Sequence, residues 1–389
     1  MHTSRRQAML AAAGLLGSTL LKSSKASAAN RVVTTKGTRA LAVQDLVSVT
    51  DFEPLAEARF SEMTRALVQG AAADETTLRW NREAFSEIRL RPRVLVDVSR
   101  IDTKLQLLGL DLAYPILLAP TAFHMMVHPQ GEEETARGAS AADALLVVSS
   151  ASNTRIDRIA RAAQSPLWFQ MYVQSDRSFV FDVVKEVESA GCRALVVTVD
   201  APVVGPRYRQ MRVKFRLNPG LTLPYMLDVN RGKDSLLRGG NSRMTWADIE
   251  WLQSITKLPV ILKGILHPDD AQRAVKAKVA GIIVSNHGGR SLDTAPATLS
   301  ALPKIMDRVG DGMPVLMDGG IRRGTDVLKA LAYGAKAVLI GRPYLHGLGV
   351  AGAAGVSRVV AILRDELEQA MALTGRTNLA SVDRSVLWE

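Results

Sequence analysis

The sequence predicts an α/β fold, a (β/α)8 TIM barrel with an N-terminal helical cap and a long loop after the fourth strand. Three observations predict it. Eight short, almost continuously apolar runs follow one another from residue 115 onward, helix-patterned segments lie between them, and every run ends in a polar or glycine-rich group. Strands apolar throughout belong to a parallel sheet covered on both faces. Their alternation with helices marks βα units, and eight in one continuous series point to a closed barrel. The alternative, an open doubly wound sheet, normally has fewer strands and a Gly-rich first βα turn; no G-x-G-x-x-G follows an early run here.

In chain order the predicted strands are Pro115–Ala119, Leu145–Ser150, Leu167–Val173, Ala194–Asp200, Pro259–Gly264, Gly281–His287, Pro314–Gly319 and Ala337–Gly341. Helical patterns cover Gly131–Ala142, Ser178–Ala190, His267–Ala277, Gly324–Tyr333 and Gly355–Leu373. The first opens on Glu132, Glu133 and Glu134, acids suited to the positive end of a helix dipole. Asp326, Val327, Leu328, Ala330 and Leu331 carry the spacing of a core-facing helix. Residues 40–93 precede the barrel as the cap. Residues 205–245 form a polar, Gly/Pro/Arg-rich insertion, and a segment of that length within a compact domain is usually a lid or mobile.

Residues 1–28 read as an address rather than as part of the fold, which leaves 29–389 as one catalytic domain. Arg5-Arg6 precedes an apolar stretch ending at Leu21, and Ala26-Ser27-Ala28 supplies a small-x-small cleavage pattern. Paired arginines before an Ala/Gly-rich core match a twin-arginine signal, so the expected location is periplasmic. The apolar core is too short to span a bilayer comfortably, and a mature chain with no transmembrane segment is expected. The net charge is +11. Removing the leader's Arg5, Arg6, Lys22 and Lys25 leaves about +7, without any basic block interleaved with aromatics. That balance suits an anionic small substrate and cofactor, not nucleic acid. The lone Cys192 excludes an intrachain disulfide and reads as a buried spectator.

The strand ends carry the chemistry. They deliver Thr121, Ser149 with Ser150, Gln170 with Tyr172, Thr198 with Asp200, Lys263, Ser285 with His287, Asp318-Gly319-Gly320, and Gly341-Arg342 to one rim, where barrel enzymes keep their active sites. Glycines let backbone N–H groups approach a phosphate and arginine adds a forked donor, so Asp318–Gly324 with Gly341-Arg342 reads as a phosphate site for a cofactor or a substrate. A histidine at a strand end is a natural general base, and His287 is flanked by Arg290. With Arg207, two guanidiniums and one base fit a carboxylate substrate. Asp200 is placed to steady an imidazolium, Lys263 to supply positive charge to a reduced cofactor, and Tyr172 to donate to a substrate oxygen. No His/Cys/Asp cluster has metal-ligand spacing.

At these positions the chain resembles the FMN-dependent 2-hydroxy acid oxidases and dehydrogenases. The strings that carry the resemblance run from about residue 45 to 385: Arg91-Pro92-Arg93, Asp97-Val98-Ser99, Ala119-Pro120-Thr121-Ala122, His128-Pro129, Phe169-Gln170-Met171-Tyr172, Thr198-Val199-Asp200, Lys263-Gly264, Ser285-Asn286-His287-Gly288-Gly289-Arg290, Asp318-Gly319-Gly320 and Gly341-Arg342-Pro343. The resemblance implies FMN contacts from Pro120, Thr121, Ala122, Ser149, Gln170, Thr198, Lys263, Ser285, Asp318, Gly319, Gly320, Arg322, Gly341 and Arg342. It implies His287 as catalytic base with Asp200 as its partner, Arg207 and Arg290 as the carboxylate clamp, and Tyr172 at the substrate oxygen. It also implies a homotetramer.

Two departures stand out. Ala66 falls where the family usually has a carboxylate-binding tyrosine, and Ala151 where glycolate oxidases carry a tryptophan. Both remove bulk, so a substrate larger than glycolate is expected: lactate-like or larger, aryl acids such as mandelate included. Electrons are expected to pass to O2, or to a quinone or a cytochrome on a separate chain, since no C-x-x-C-H is present. Two other readings stay open at this point: the same cofactor acting on a modified peptide, and a flavin-binding protein without turnover.

Overall fold

The computed structural model describes residues 31–32, 41–226 and 241–388. The leader therefore lies outside the described residues, as does the second part of the insertion. The barrel strands are β1 (Ile116–Leu118), β2 (Leu146–Ser149), β3 (Leu167–Met171), β4 (Leu195–Thr198), β5 (Val260–Ile265), β6 (Gly281–Val284), β7 (Val315–Asp318) and β8 (Ala337–Ile340). All pair in parallel with their sequence neighbours, and Val338 opposite Ile116 closes the ring. Seven of the eight lie inside a run predicted above, and β5 extends one residue beyond its run, to Ile265. The other ends differ by up to three residues because the last residues of each run leave the ladder to face the rim.

The helices are α1 (Phe52–Arg59), α2 (Glu62–Gln69), α3 (Thr76–Glu87), α4 (Gly131–Ala141), α5 (Ile156–Ala162), α6 (Arg177–Ser189), α7 (Tyr208–Arg212), α8 (Trp246–Ile255), α9 (Pro268–Lys276), α10 (Thr298–Val309), α11 (Gly324–Ala332) and α12 (Arg342–Leu373). The first three form the expected cap. Phe52 and Ala56 of α1 are fully buried, and α1 packs on α12. Between cap and barrel, a hairpin of Leu105–Leu107 and Leu110–Leu112 inserts Leu107, Leu110 and Leu112 among Trp168, Val196, Ile261, Ile283 and Leu316, which fill the barrel interior. This plug closes the end of the barrel opposite the catalytic rim, and packing rather than a pore fills the centre.

Three features depart from expectation. Helix α12 starts at Arg342, not Gly355: a first segment leads from β8 and breaks at Ala351 (φ −153°) and Gly352 (φ +57°) before the long core helix. The reversal brings Gly347 against Gly355, where a Cβ on Gly355 would lie 1.9 Å from the Gly347 carbonyl oxygen, so glycines that weaken the helical pattern in sequence are required by packing. Helices α5, α7, α8 and α10 fall outside the predicted helical segments. Finally, the described part of the insertion is a packed wall rather than a loose lid. Leu223, Tyr225 and Met226 are buried, and the Tyr225 hydroxyl accepts from Ile156 N (2.7 Å) and donates to Glu186 (2.6 Å). Helix α12 is also long and apolar enough to cross a membrane, but it is mostly buried against α1, α4 and α11. Cys192 is buried, which pushes its thiol up to about 12.

Candidate active site

One cavity opens at the C-terminal rim. Its wall includes Pro120, Thr121, Ala122, Ser149, Tyr172, Arg207, Lys263, His287, Arg290, Asp318, Gly319, Gly320, Arg322, Gly341 and Arg342. Four predicted residues stand just behind that wall. Gln170 accepts from the Ser149 hydroxyl (2.9 Å), Ser285 accepts from Lys263 Nζ (3.0 Å), Thr198 pairs with Lys263 in the ladder, and Asp200 backs His287.

The His287 turn is built from three successive left-handed residues, His287 (φ +60°), Gly288 (φ +64°) and Gly289 (φ +76°). A histidine in that region is strained by roughly 1–3 kcal/mol, so neighbours must impose it. Its N–H donates to Ser285 Oγ (3.0 Å), and the Asn286 amide is clamped by a reciprocal pair with Asn81 of α3 (2.8 and 2.7 Å). The cap thus fixes the turn that carries the histidine.

His287 Nδ1 lies 2.9 Å from Asp200 Oδ1. A carboxylate only accepts, so Nδ1 carries the proton and Nε2 presents its lone pair to the cavity, where the Tyr172 hydroxyl donates to it at 3.2 Å. Burial pulls the imidazole below its ordinary pKa and Lys263 and Arg207 add to the shift, although Asp200 opposes them. The imidazole is therefore a neutral base near pH 7. Burial works to raise the pKa of Asp200, but His287 and Lys263 outweigh it and keep the group ionised. Gly264 (φ +112°) sits at a register shift in β5, and a Cβ there would lie 2.5 Å from Asp200 Cβ. Only glycine leaves room for the carboxylate.

Lys263 is buried and bridges to Asp318 Oδ2 at 3.1 Å. Burial favours the neutral amine, yet Asp318 and Asp200 more than compensate and hold Lys263 above its usual value. The arginines behave differently. Arg322 and Arg342 are each pushed down to about 10, by burial first and then by neighbouring arginines, which for Arg342 include Arg322. Arg290 is lowered well below its usual value by burial and by Arg207 and Arg342. Burial lowers Arg207, and its Nε is buried without a hydrogen-bond partner. Arg290 and Arg342 both donate to the Gly70 carbonyl, at 2.5 and 2.9 Å. Guanidiniums crowded together without carboxylate partners are costly unless an anion joins them. Two such pairs line the cavity and could each hold an anion, Arg322 with Arg342 beside the glycines of β7 and β8, and Arg207 with Arg290 beside His287.

The residues present fit FMN. Gly319 (φ +101°) and Gly320 (φ +87°) put bare backbone on the cavity wall, and the close approach of α3 behind them demands glycine, since a Cβ on Gly320 would lie 1.9 Å from Asn81 O. Gly341 caps the first segment of α12, whose amino end faces the Arg322–Arg342 side, a standard phosphate position. Gln170 Nε2 and Asp318 Oδ1 are buried without partners, a donor and an acceptor waiting for the polar edge of a ring.

Of the two departures seen in sequence, Ala151 does line the cavity, but Ala66 does not; α2 contributes Leu67 and Val68 instead. Sequence reasoning also missed Phe215, Leu223, Met226 and Gln210 in the wall. Gln210 follows Arg207 by three residues, a helical spacing that could have flagged it.

The fold defines a (β/α)8 barrel whose rim cavity holds a buried imidazole and two pairs of guanidiniums, a set able to take a phosphorylated cofactor and an anionic substrate. The comparisons narrow this. The chain matches the FMN-dependent dehydrogenase family over residues 56–389 and belongs to that family. It is 43% identical to glycolate oxidase 3 of Oryza sativa subsp. indica, over 87% of this chain and 95% of that protein. It is 45% identical to the L-lactate oxidase of Nostoc sp., over 89% and 99%. Among solved structures, mandelate oxidase with (S)-2-phenylpropionate matches with a TM-score of 0.81 and 38% identity, over 88% of this chain and 98% of that one. A flavocytochrome b2 variant with pyruvate bound matches with 0.83 and 35%, over 90% and 88%. FMN is the cofactor of this family and of this chain.

Proposed function

We propose that the protein oxidises an L-2-hydroxy acid, lactate-sized or larger and aryl acids included, to the 2-keto acid. One observation carries the reading: a neutral imidazole held by Asp200 at 2.9 Å shares a cavity with two guanidiniums that lack acidic partners among the described residues. Arg207 and Arg290 take the substrate carboxylate as a forked, charge-assisted pair. Tyr172 turns its hydroxyl from His287 to the substrate oxygen. Nε2 of His287 then takes the proton, and Asp200 stabilises the imidazolium that forms. Bound FMN supplies the two-electron acceptor, and Lys263 keeps a positive charge beside the place where negative charge accumulates. Relatives named as glycolate, lactate and mandelate oxidases support this class of substrate.

Ala151 favours substrates larger than glycolate. Electrons leave to O2, or to a quinone or separate cytochrome. The leader motif supports export by the twin-arginine route to the periplasm. Exposed Val94 (81%), Leu95 (103%) and Trp388 (60%), the last covered in part by Arg91, support a homotetramer. The test is anaerobic mixing of the FMN-loaded protein with lactate, glycolate and mandelate, followed by reoxidation in air. Flavin bleaching by at least one acid is expected, with FMN retained but bleaching abolished in His287→Gln. Unchanged bleaching in that variant refutes the assignment of the base.

A further inference from the structure

Gln210 is 4% exposed, lines the cavity, and its Nε2 is buried without a hydrogen-bond partner. It follows Arg207, the residue that precedes α7, by three residues, and both side chains line the cavity. Among the described residues nothing satisfies Nε2. Arg207 is itself only a donor, and the Tyr172 hydroxyl, which donates to His287, makes no hydrogen bond with Gln210 Nε2. The sulfur of Met226 already receives Ser150 Oγ and Gln174 Nε2, both at 3.8 Å. Leu67, Ala151, Phe215 and Leu223 make the rest of that wall apolar. A primary amide in such a setting pays a desolvation penalty unless a ligand completes it, and unsatisfied buried donors are rare in folded proteins.

We infer that Gln210 reads the substrate's side chain, and that the acid carries a neutral hydrogen-bond acceptor, an ether, carbonyl or hydroxyl oxygen, beyond its hydroxyl-bearing carbon. The acceptor is neutral because no cation is left to balance a second charge: Arg207 and Arg290 serve the first carboxylate, Lys263 is paired with Asp318, and Arg322 and Arg342 form the phosphate site. The apolar remainder accepts the carbon skeleton. This rests on the proposed oxidation of a 2-hydroxy acid and adds to it the class of side chain.

The test uses isosteric pairs on the FMN-loaded enzyme: 3-methoxylactate against 2-hydroxypentanoate, and 2-hydroxy-4-oxopentanoate against 2-hydroxy-4-methylpentanoate. The readouts are kcat/KM for flavin reduction and the Kd of the matching 2-keto acids from the flavin absorbance change. In at least one pair the oxygen-bearing member should be favoured by about 10-fold or more, the worth of one buried hydrogen bond. The Gln210→Leu substitution should bring that ratio to one or below. A wild-type ratio of one in both pairs overturns the inference without any variant. Equal losses for both members of each pair in Gln210→Leu also overturn it, because Gln210 would then act on the shared carboxylate. Reduction by lactate, glycolate or mandelate but by none of the four overturns the inference alone; if none of these seven acids reduces the flavin, the oxidation reading itself fails.

Discussion

Replacing Asp200 by Asn isolates the part of the site that tunes the base. With Nδ1 and Oδ1 at 2.9 Å, the charge centres of an imidazolium–carboxylate pair lie about 4 Å apart, where two unit charges are worth about 4 kcal/mol at an effective dielectric near 20. Asparagine keeps a dipole and one hydrogen bond, so about 2–3 kcal/mol of that stabilisation is lost when His287 becomes protonated. Flavin reduction should slow at least 30- to 150-fold. If the asparagine NH2 faces Nδ1, the proton moves to Nε2 and the loss is larger. The pH profile adds a signed test. His287 is active when neutral, so reduction rises with pH through its lowered pKa and is flat above it. Asp200 is the chief influence holding that pKa up. Its removal must therefore shift the acid limb to lower pH while the plateau falls. Anaerobic stopped-flow reduction from pH 4.5 to 8 measures both, with FMN retention as the control. A plateau within a few-fold of wild type, or a limb that moves to higher pH, refutes the reasoning.

Other expectations follow from the same geometry. Arg322→Met removes one of the two phosphate-site guanidiniums and should raise the FMN Kd about 10- to 100-fold, measured by flavin fluorescence titration. The apoprotein's melting temperature should not fall, because this guanidinium has no acidic partner among the described residues; an unchanged Kd would place the phosphate elsewhere. Gly264→Ala forces a Cβ to within 2.5 Å of Asp200 at a φ of +112° and should destabilise the fold by roughly 2–4 kcal/mol, read by thermal melting. An unshifted melt would show that the β5 bulge relaxes freely. Ala151→Trp fills the cavity between Leu67 and Met226, so kcat/KM for mandelate should fall at least about tenfold relative to glycolate. Equal effects on both acids would contradict the assignment of that space to the substrate's side chain.

The eight strands were legible because each is a short apolar run that ends on a polar residue, a pattern that depends on neighbours in sequence alone. The basal hairpin was not, since Leu105–Leu107 and Leu110–Leu112 are too short to show a period and acquire meaning only from the barrel they plug. The start of α12 was hidden by glycines whose necessity lies in the approach of Gly347 to Gly355. In the site, Asp200, Lys263 and His287 stood out as polar strand ends, but Gln210 lay inside a basic stretch that reads as solvated surface. Its burial accompanies the packing of α7 against α2 of the cap, a contact no local pattern encodes. Similarly, Arg342 and Arg290 meet over the Gly70 carbonyl through the cap, a contact more than 200 residues long in sequence. Leu67 rather than Ala66 reaches the cavity because the phase of α2, not alignment on a neighbouring glycine, decides which side chain points inward.

The most direct measurement is a crystal structure of the FMN-loaded His287→Gln protein with a 2-keto acid bound. The carboxylate should lie between the guanidiniums of Arg207 and Arg290, with the keto carbon within reach of side chain 287 and of the ring. A carboxylate seated anywhere else, or a flavin phosphate away from Arg322 and Arg342, would contradict the account.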